Sequence, residues 1–279
     1  MKISKFFLLT TAIVFVLVFS LQAQWVNQNL GDSGSADWSS QIIRATGIGA
    51  ANPNMPLPSQ RAQAIRAAKL DAWRNLLESI KGVSLTSETT VRNAMVENDV
   101  IVTKVEGILK GFTTVGEPKY LSDGSVEVTV EMPMTGALSN ALLPTQLDGQ
   151  PWLTGQPMSG GIQPANVAYT GLIVVGKALG VRPAMAPKII DEAGNEIYGS
   201  RFVSREWAVK MGMVGYDKDV NRARTNDRVA SNPMIVKAVK TSGPNKADLV
   251  VSAADAAAIQ AAAANQNFLD KCKVMFIVD

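Results

Sequence analysis

Between residues 59 and 82, Ile65, Ala68, Ala72, Leu76 and Ile80 recur at intervals of three and four, while Arg66, Lys69, Arg74 and Lys81 occupy other faces. This is the periodicity of an amphipathic helix. Alanines on its inward side let it lie close to a sheet, with Leu76 and Ile80 filling the core between the layers. Ser59 is the expected N-cap and Gly82 the expected stop, and the three prolines of residues 52–58 break any regular element before it.

The sheet for that helix comes from residues 41–46, a short strand, and from 110–120 and 125–132, two strands joined around Asp123 and Gly124. A Ser-Asp-Gly turn allows the positive dihedral that a tight hairpin needs. Residues 91–105 read as a second helix, although the β-branched run at 100–105 leaves a strand open. Residues 148–166 bring four glycines and three prolines together and form the expected linker. Beyond it, 169–175, 188–190, 196–198, 233–240, 249–251 and the closing segment 271–278 read as strands, and 205–211 and 253–264 as helices. The expected fold class is α+β: two α/β units in series, each a mostly antiparallel sheet with helices packed on one side. The expected organisation is a signal peptide at 1–23, a flexible arm at 24–40, the first α/β domain at 41–147, the linker at 148–166 and a second α/β domain at 167–279.

The signal peptide rests on Lys2 and Lys5, an apolar stretch over 6–19 broken only by Thr10 and Thr11, and the small residue Ala23, after which cleavage is expected. A retained span needs about 20 apolar residues, and Ser20, Gln22 and Gln24 interrupt the run. A periplasmic or secreted protein follows, with outer-membrane association as a further option. Removing Lys2 and Lys5 takes the formal charge from +3 to +1. A nearly neutral body has no electrostatic footprint for nucleic acid.

The chain contains no histidine. That removes the Ser-His-Asp and Cys-His constellations, histidine metal sites and the usual general base near neutral pH. Gly47-Ile48-Gly49 superficially resembles a dinucleotide turn, but Asn52 replaces the third glycine and the prolines deny the following helix, so a strand-to-loop turn is the expectation. Asp217, Asp219, Asn221 and Asp227 lack the spacing of a calcium loop, and the basic residues between them point to a salt-bridged surface. Glu127 and Glu131 read as exposed strand carboxylates. The single cysteine, Cys272, reads as a core residue. No enzyme, cofactor or metal site is expected.

The stretch Ala67-Ala68-Lys69-Leu70-Asp71-Ala72-Trp73-Arg74-Asn75-Leu76-Leu77-Glu78, followed by Ile80, Gly82 and Val83, resembles the signature helix of the FlgP-like family of outer-membrane lipoproteins. Gly47 and Gly49, Thr89-Thr90-Val91, Gly107, Gly111 and Asp123-Gly124 extend the resemblance over residues 41–134. The N-terminal domain of the flagellar ring protein FlgT is related to that family. The resemblance implies oligomeric assembly beneath the outer membrane, beside the flagellar basal body; the lipidated cysteine of the family is absent here.

A non-enzymatic envelope structural or assembly protein is therefore expected, self-associating as a homo-oligomer or docking on other envelope proteins of an outer-membrane or flagellar-type complex. Trp25, Trp38, Trp152 and Trp207 are the candidate assembly contacts, since buried aromatic anchors dominate interfaces. The alternative is a periplasmic module that captures a peptide or peptidoglycan fragment between the two units.

Overall fold

The computed structural model describes residues 25–144 and 168–279. The signal-peptide segment, the expected linker and Trp152 lie outside the described residues.

The first half holds β1 (Asn27–Asn29), β2 (Gly34–Asp37) and β3 (Ile42–Gly49), then α1 (Leu57–Gly82), α2 (Val91–Glu97) and α3 (Asp99–Leu109). The hairpin strands β4 (Thr113–Tyr120) and β5 (Val126–Pro133) and the short α4 (Ala137–Leu142) complete it. The five strands form one antiparallel sheet in the order β1-β2-β3-β5-β4. Alternation decides which side is covered. Val126, Val128, Val130 and Met132 of β5 are buried, as are Ile43 and Ala45 of β3, beneath Ala64, Ala68, Ala72, Leu76 and Ile80 of α1.

Gly47 and Gly49 lie within β3, not in the turn expected there, and they set the helix-to-sheet distance. A Cβ at Gly47 would come within 2.0 Å of the Ala72 backbone nitrogen, and one at Gly49 within 2.2 Å of the Ala64 carbonyl oxygen. Strand β3 also runs past the end of β2, and α1 supplies the missing partners. The Ile48 amide donates to Asp71 Oδ2 (2.9 Å), and Asn75 Nδ2 donates to the Thr46 carbonyl (2.8 Å). The helix begins two residues before Ser59, with Pro56 at its cap and Pro58 in its first turn, where a missing N–H is harmless.

Residues 25–40 were expected to be a flexible arm, and the structure corrects this. They form β1 and β2, with Ala36 and Trp38 buried. The physical reason is sheet pairing: β2 hydrogen-bonds along β3 from Gly34 to Asp37, and its small residues suit an edge close to Ser79 of α1.

The second half contains β6 (Gly171–Val175), β7 (Ile189–Asp191), β8 (Glu196–Tyr198), α5 (Arg205–Met211), β9 (Gly215–Asp217) and α6 (Val220–Arg224). It continues with β10 (Pro233–Lys237), β11 (Lys240–Ser242), β12 (Asp248–Val251), α7 (Ala253–Asn265) and β13 (Val274–Ile277). These make two four-stranded sheets, β10-β6-β13-β9 and β11-β12-β7-β8. The α+β class stands, and the first-half sheet is antiparallel as expected. In the second half the first of the two sheets is wholly parallel, and the second mixes one parallel pair with two antiparallel ones. Parallel pairing explains why β13 is buried on both faces instead of alternating.

Three seams join the halves. Met185 and Ala186 amides donate to the Ser84 and Leu85 carbonyls, at 3.0 and 2.7 Å. Gly136 N–H donates to the Val209 carbonyl (2.7 Å), and Arg205 binds the Asn140 carbonyl (2.8 Å). The Trp38 ring meets Tyr216 edge-on, with centroids 5.5 Å apart, and Tyr216 meets Phe276 in the same way. One continuous apolar cluster contains residues of both halves.

Candidate functional site

Two surfaces are candidates for function: a cleft at the third seam, and the outward side of α1.

The cleft has a volume of ≈ 330 Å³ and lies between the turn Ser39-Ser40-Gln41 and the loop Asn226-Asp227-Arg228, with Met211 and Met275 also lining it. Gln41 holds the turn in place by donating to the Val214 carbonyl (3.1 Å). Arg228 crosses Gly215, where a Cβ would meet its Nε at 2.8 Å. Its guanidinium donates to the carbonyls of Met211, Gly212 and Cys272, tying the C-terminus of α5 to the approach of β13. Burial lowers its pKa, and the groups that hold this cation are carbonyl dipoles. Arg228 thus works as a staple, and Asp227 is the exposed charge at the cleft mouth.

Buried titratable groups nearby are also fixed by backbone. The Tyr198 hydroxyl donates to the Met213 carbonyl (2.5 Å), and the Tyr216 hydroxyl donates to Ala184 O (2.8 Å) while accepting from Ala184 N (3.0 Å). Desolvation raises both phenols. Burial pushes the Cys272 thiol up to about 11, which keeps it protonated at neutral pH, a poor nucleophile. Among the described residues no group of three or more Cys, Asp or Glu side chains is placed to hold a metal ion.

Residues 171–279 match a family model described as Treponema pallidum Tp0624, second domain. The match begins at the first residue of β6 and takes in every strand of the two second-half sheets. Nothing among the curated proteins matches the chain.

The tryptophans separate clearly. Trp38 is 2 % exposed, with its Nε1 donating to Gln28 Oε1 (2.9 Å). It is a core residue, which corrects its reading as an assembly contact: its ring is buried against Tyr216 of the second half. Trp25 is 45 % exposed, and the Arg222 guanidinium stands 5.7 Å from its ring centroid. Arg222 is itself held by Asp217 through Nε (2.7 Å) and Nη2 (2.6 Å), so the Trp25 ring is fixed in place at the surface. Trp207 is half-buried beside Lys210.

Sequence reasoning placed the α1 cations on other faces of the helix than the core residues and gave them no role. Arg66, Lys69 and Arg74 are exposed and form no ion pair among the described residues. They surround Leu70, 51 % exposed, and the half-buried Trp73. The helix carries two acids. Asp71 is engaged by the Ile48 amide, and Glu78 is taken by Lys81 (2.7 Å) and Arg92 (3.1 Å). The spacing 66, 69, 70, 73, 74 was the available signal, because those positions share one side of a helix.

Among the described residues no helix is long and apolar enough to cross a membrane.

Proposed function

We propose that this chain is a non-enzymatic structural or assembly protein of the cell envelope, exported from the cytoplasm and acting by docking on copies of itself or on an outer-membrane or flagellar-type complex. The observation that carries the proposal is the outward side of α1, where three cations that form no ion pair among the described residues and an exposed leucine stand on a helix anchored by hydrogen bonds to the strand backbone and by alanine-to-glycine contact. A surface held that rigidly loses little conformational freedom when a partner covers it. The FlgP-like resemblance over residues 41–134 supports the reading, because α1 is the helix that carries it. The match of the second half to a domain described as the second of a treponemal protein supports a body built from two modules in series.

The test is the mass of the purified protein by light scattering over a range of concentration. A discrete mass above that of one chain is the expected result, and a strict monomer at every concentration would remove self-association as the mode of docking.

A second reading, a periplasmic binding module for a peptide or peptidoglycan fragment, draws on the cleft, whose ≈ 330 Å³ is at the lower end of ligand pockets and whose walls come from both halves. Stabilisation of a monomer by a muropeptide in a thermal melt is its signature.

A further inference from the structure

We infer that the outward side of α1 docks on an anionic lipid surface, the headgroup layer of a bilayer. This rests on the docking reading above and names the partner for the same surface. Arg66, Lys69 and Arg74 span about 12 Å along the helix at about 1.5 Å per residue. Glu78 is paired with Lys81 and Arg92, and Asp71, turned to the Ile48 amide of the sheet, is the one other acid of α1, so Arg66, Lys69 and Arg74 outnumber the acid left to oppose them within the helix. Arg61 extends the cationic strip toward the N-terminus, where its guanidinium lies 5.7 Å from the Tyr120 ring centroid. Helix α1 carries five cations, Arg61, Arg66, Lys69, Arg74 and Lys81, against two acids, a net of +3 that equals the formal charge of the whole chain, so positive charge is concentrated on this helix.

The occupant follows from charge and shape. Two copies cannot cover this surface with the same surface, because like charges would face each other across a two-fold axis, so self-association through α1 would have to meet a different surface of the second copy. The surface is the outward side of a single helix, suited to a flat layer of negative charge rather than to a peptide. Leu70 stands proud among the cations, with Trp73 beside it, in the combination of basic and apolar groups that favours a membrane interface. The buried side of α1 is already covered by the sheet, so contact is with headgroups and is sensitive to salt.

The experiment is co-sedimentation of the purified protein with vesicles of phosphatidylcholine alone, or of phosphatidylcholine mixed in equal parts with phosphatidylglycerol. Binding to the mixed vesicles only, weakening with salt, is expected. Replacing Arg66, Lys69 and Arg74 together by Gln should reduce affinity about a hundredfold, from about fivefold for each cation. A matched variant that replaces Lys237, Lys240 and Lys271, exposed cations of the second half, should bind much more nearly as the unmodified protein does. Absence of binding to the mixed vesicles, or equal loss in both triple variants, overturns the inference. If the α1 variant loses self-assembly in light scattering while the protein ignores vesicles, the lipid inference falls and the docking reading survives. Vesicle binding by a strict monomer leaves the inference standing and removes self-association instead.

Discussion

At the scale of single residues, Asp248 shows how a buried carboxylate can serve a joint. Its Oδ2 accepts from Ser87 Oγ (2.5 Å) and its Oδ1 from the Lys188 amide (2.7 Å), so it bridges the halves. Burial raises its pKa, against the lowering effect of the Ser87 and Lys188 hydrogen bonds. The native state therefore holds this proton more tightly than the unfolded chain. Stability from this group is present below the unfolded value of about 3.9 and is lost as pH rises through the raised native value. Asp248→Asn keeps an acceptor for Lys188 and a partner for Ser87. It should leave stability at pH 7 unchanged or higher, and urea unfolding at acid and neutral pH should show a smaller pH-dependent difference than in the unmodified protein. Asp248→Ala strands a buried amide and hydroxyl and should cost about 1–3 kcal/mol. If Asn costs as much as Ala, the negative charge itself is needed at the joint. Neither Asp248 nor the Arg228 staple was legible in the sequence, since each acts on backbone groups brought near only by the fold.

At the scale of elements, α1 and β3 behave as one unit, since backbone groups of the strand end on side chains of the helix. Gly47→Ala would drive a methyl into the Ala72 backbone, where no side chain can rotate away. A loss of about 1–3 kcal/mol or more is expected in denaturant unfolding; a neutral result would mean the helix can lift from the sheet. The elements most legible in the sequence have local causes: the 3.6-residue period of α1, and the Asp123-Gly124 turn, where Gly124 adopts φ +81°. The misread segment 25–40 has strands of three and four residues rich in Gly, Ser and Asn, and only its pairing with β3 makes it a sheet edge. The exposed edge strand β4 carries Pro118, a register shift between Val115 and Lys119, and Lys119 itself, features that discourage another sheet from pairing there.

For the whole molecule, the three seams predict that the halves unfold together. Trp38 connects them through Tyr216, and tryptophan fluorescence and far-ultraviolet circular dichroism should report one coincident transition in urea. Two resolved transitions would show that the seams are weaker than the halves they join. Trp38→Ala should destabilise by about 3–5 kcal/mol rather than merely weaken association, because the ring is core. The cationic side of α1 could be read as a periodicity but not as a contact surface, since its meaning depends on where Asp71 and Glu78 point.

The parallel sheet carries a kinetic consequence. Its inner strands β6 and β13 are paired across about a hundred residues of chain, and among the described residues β13 is the sole sheet neighbour of β9. A ribosome or translocation pore releasing this chain from its N-terminus delivers β6 long before the strand that completes its sheet, so the second half stays unfinished until residues 274–277 emerge. Deleting residues 274–279 should abolish protease resistance of the second half, whereas a nascent chain arrested just before them should still be pliable enough to thread through a narrow channel.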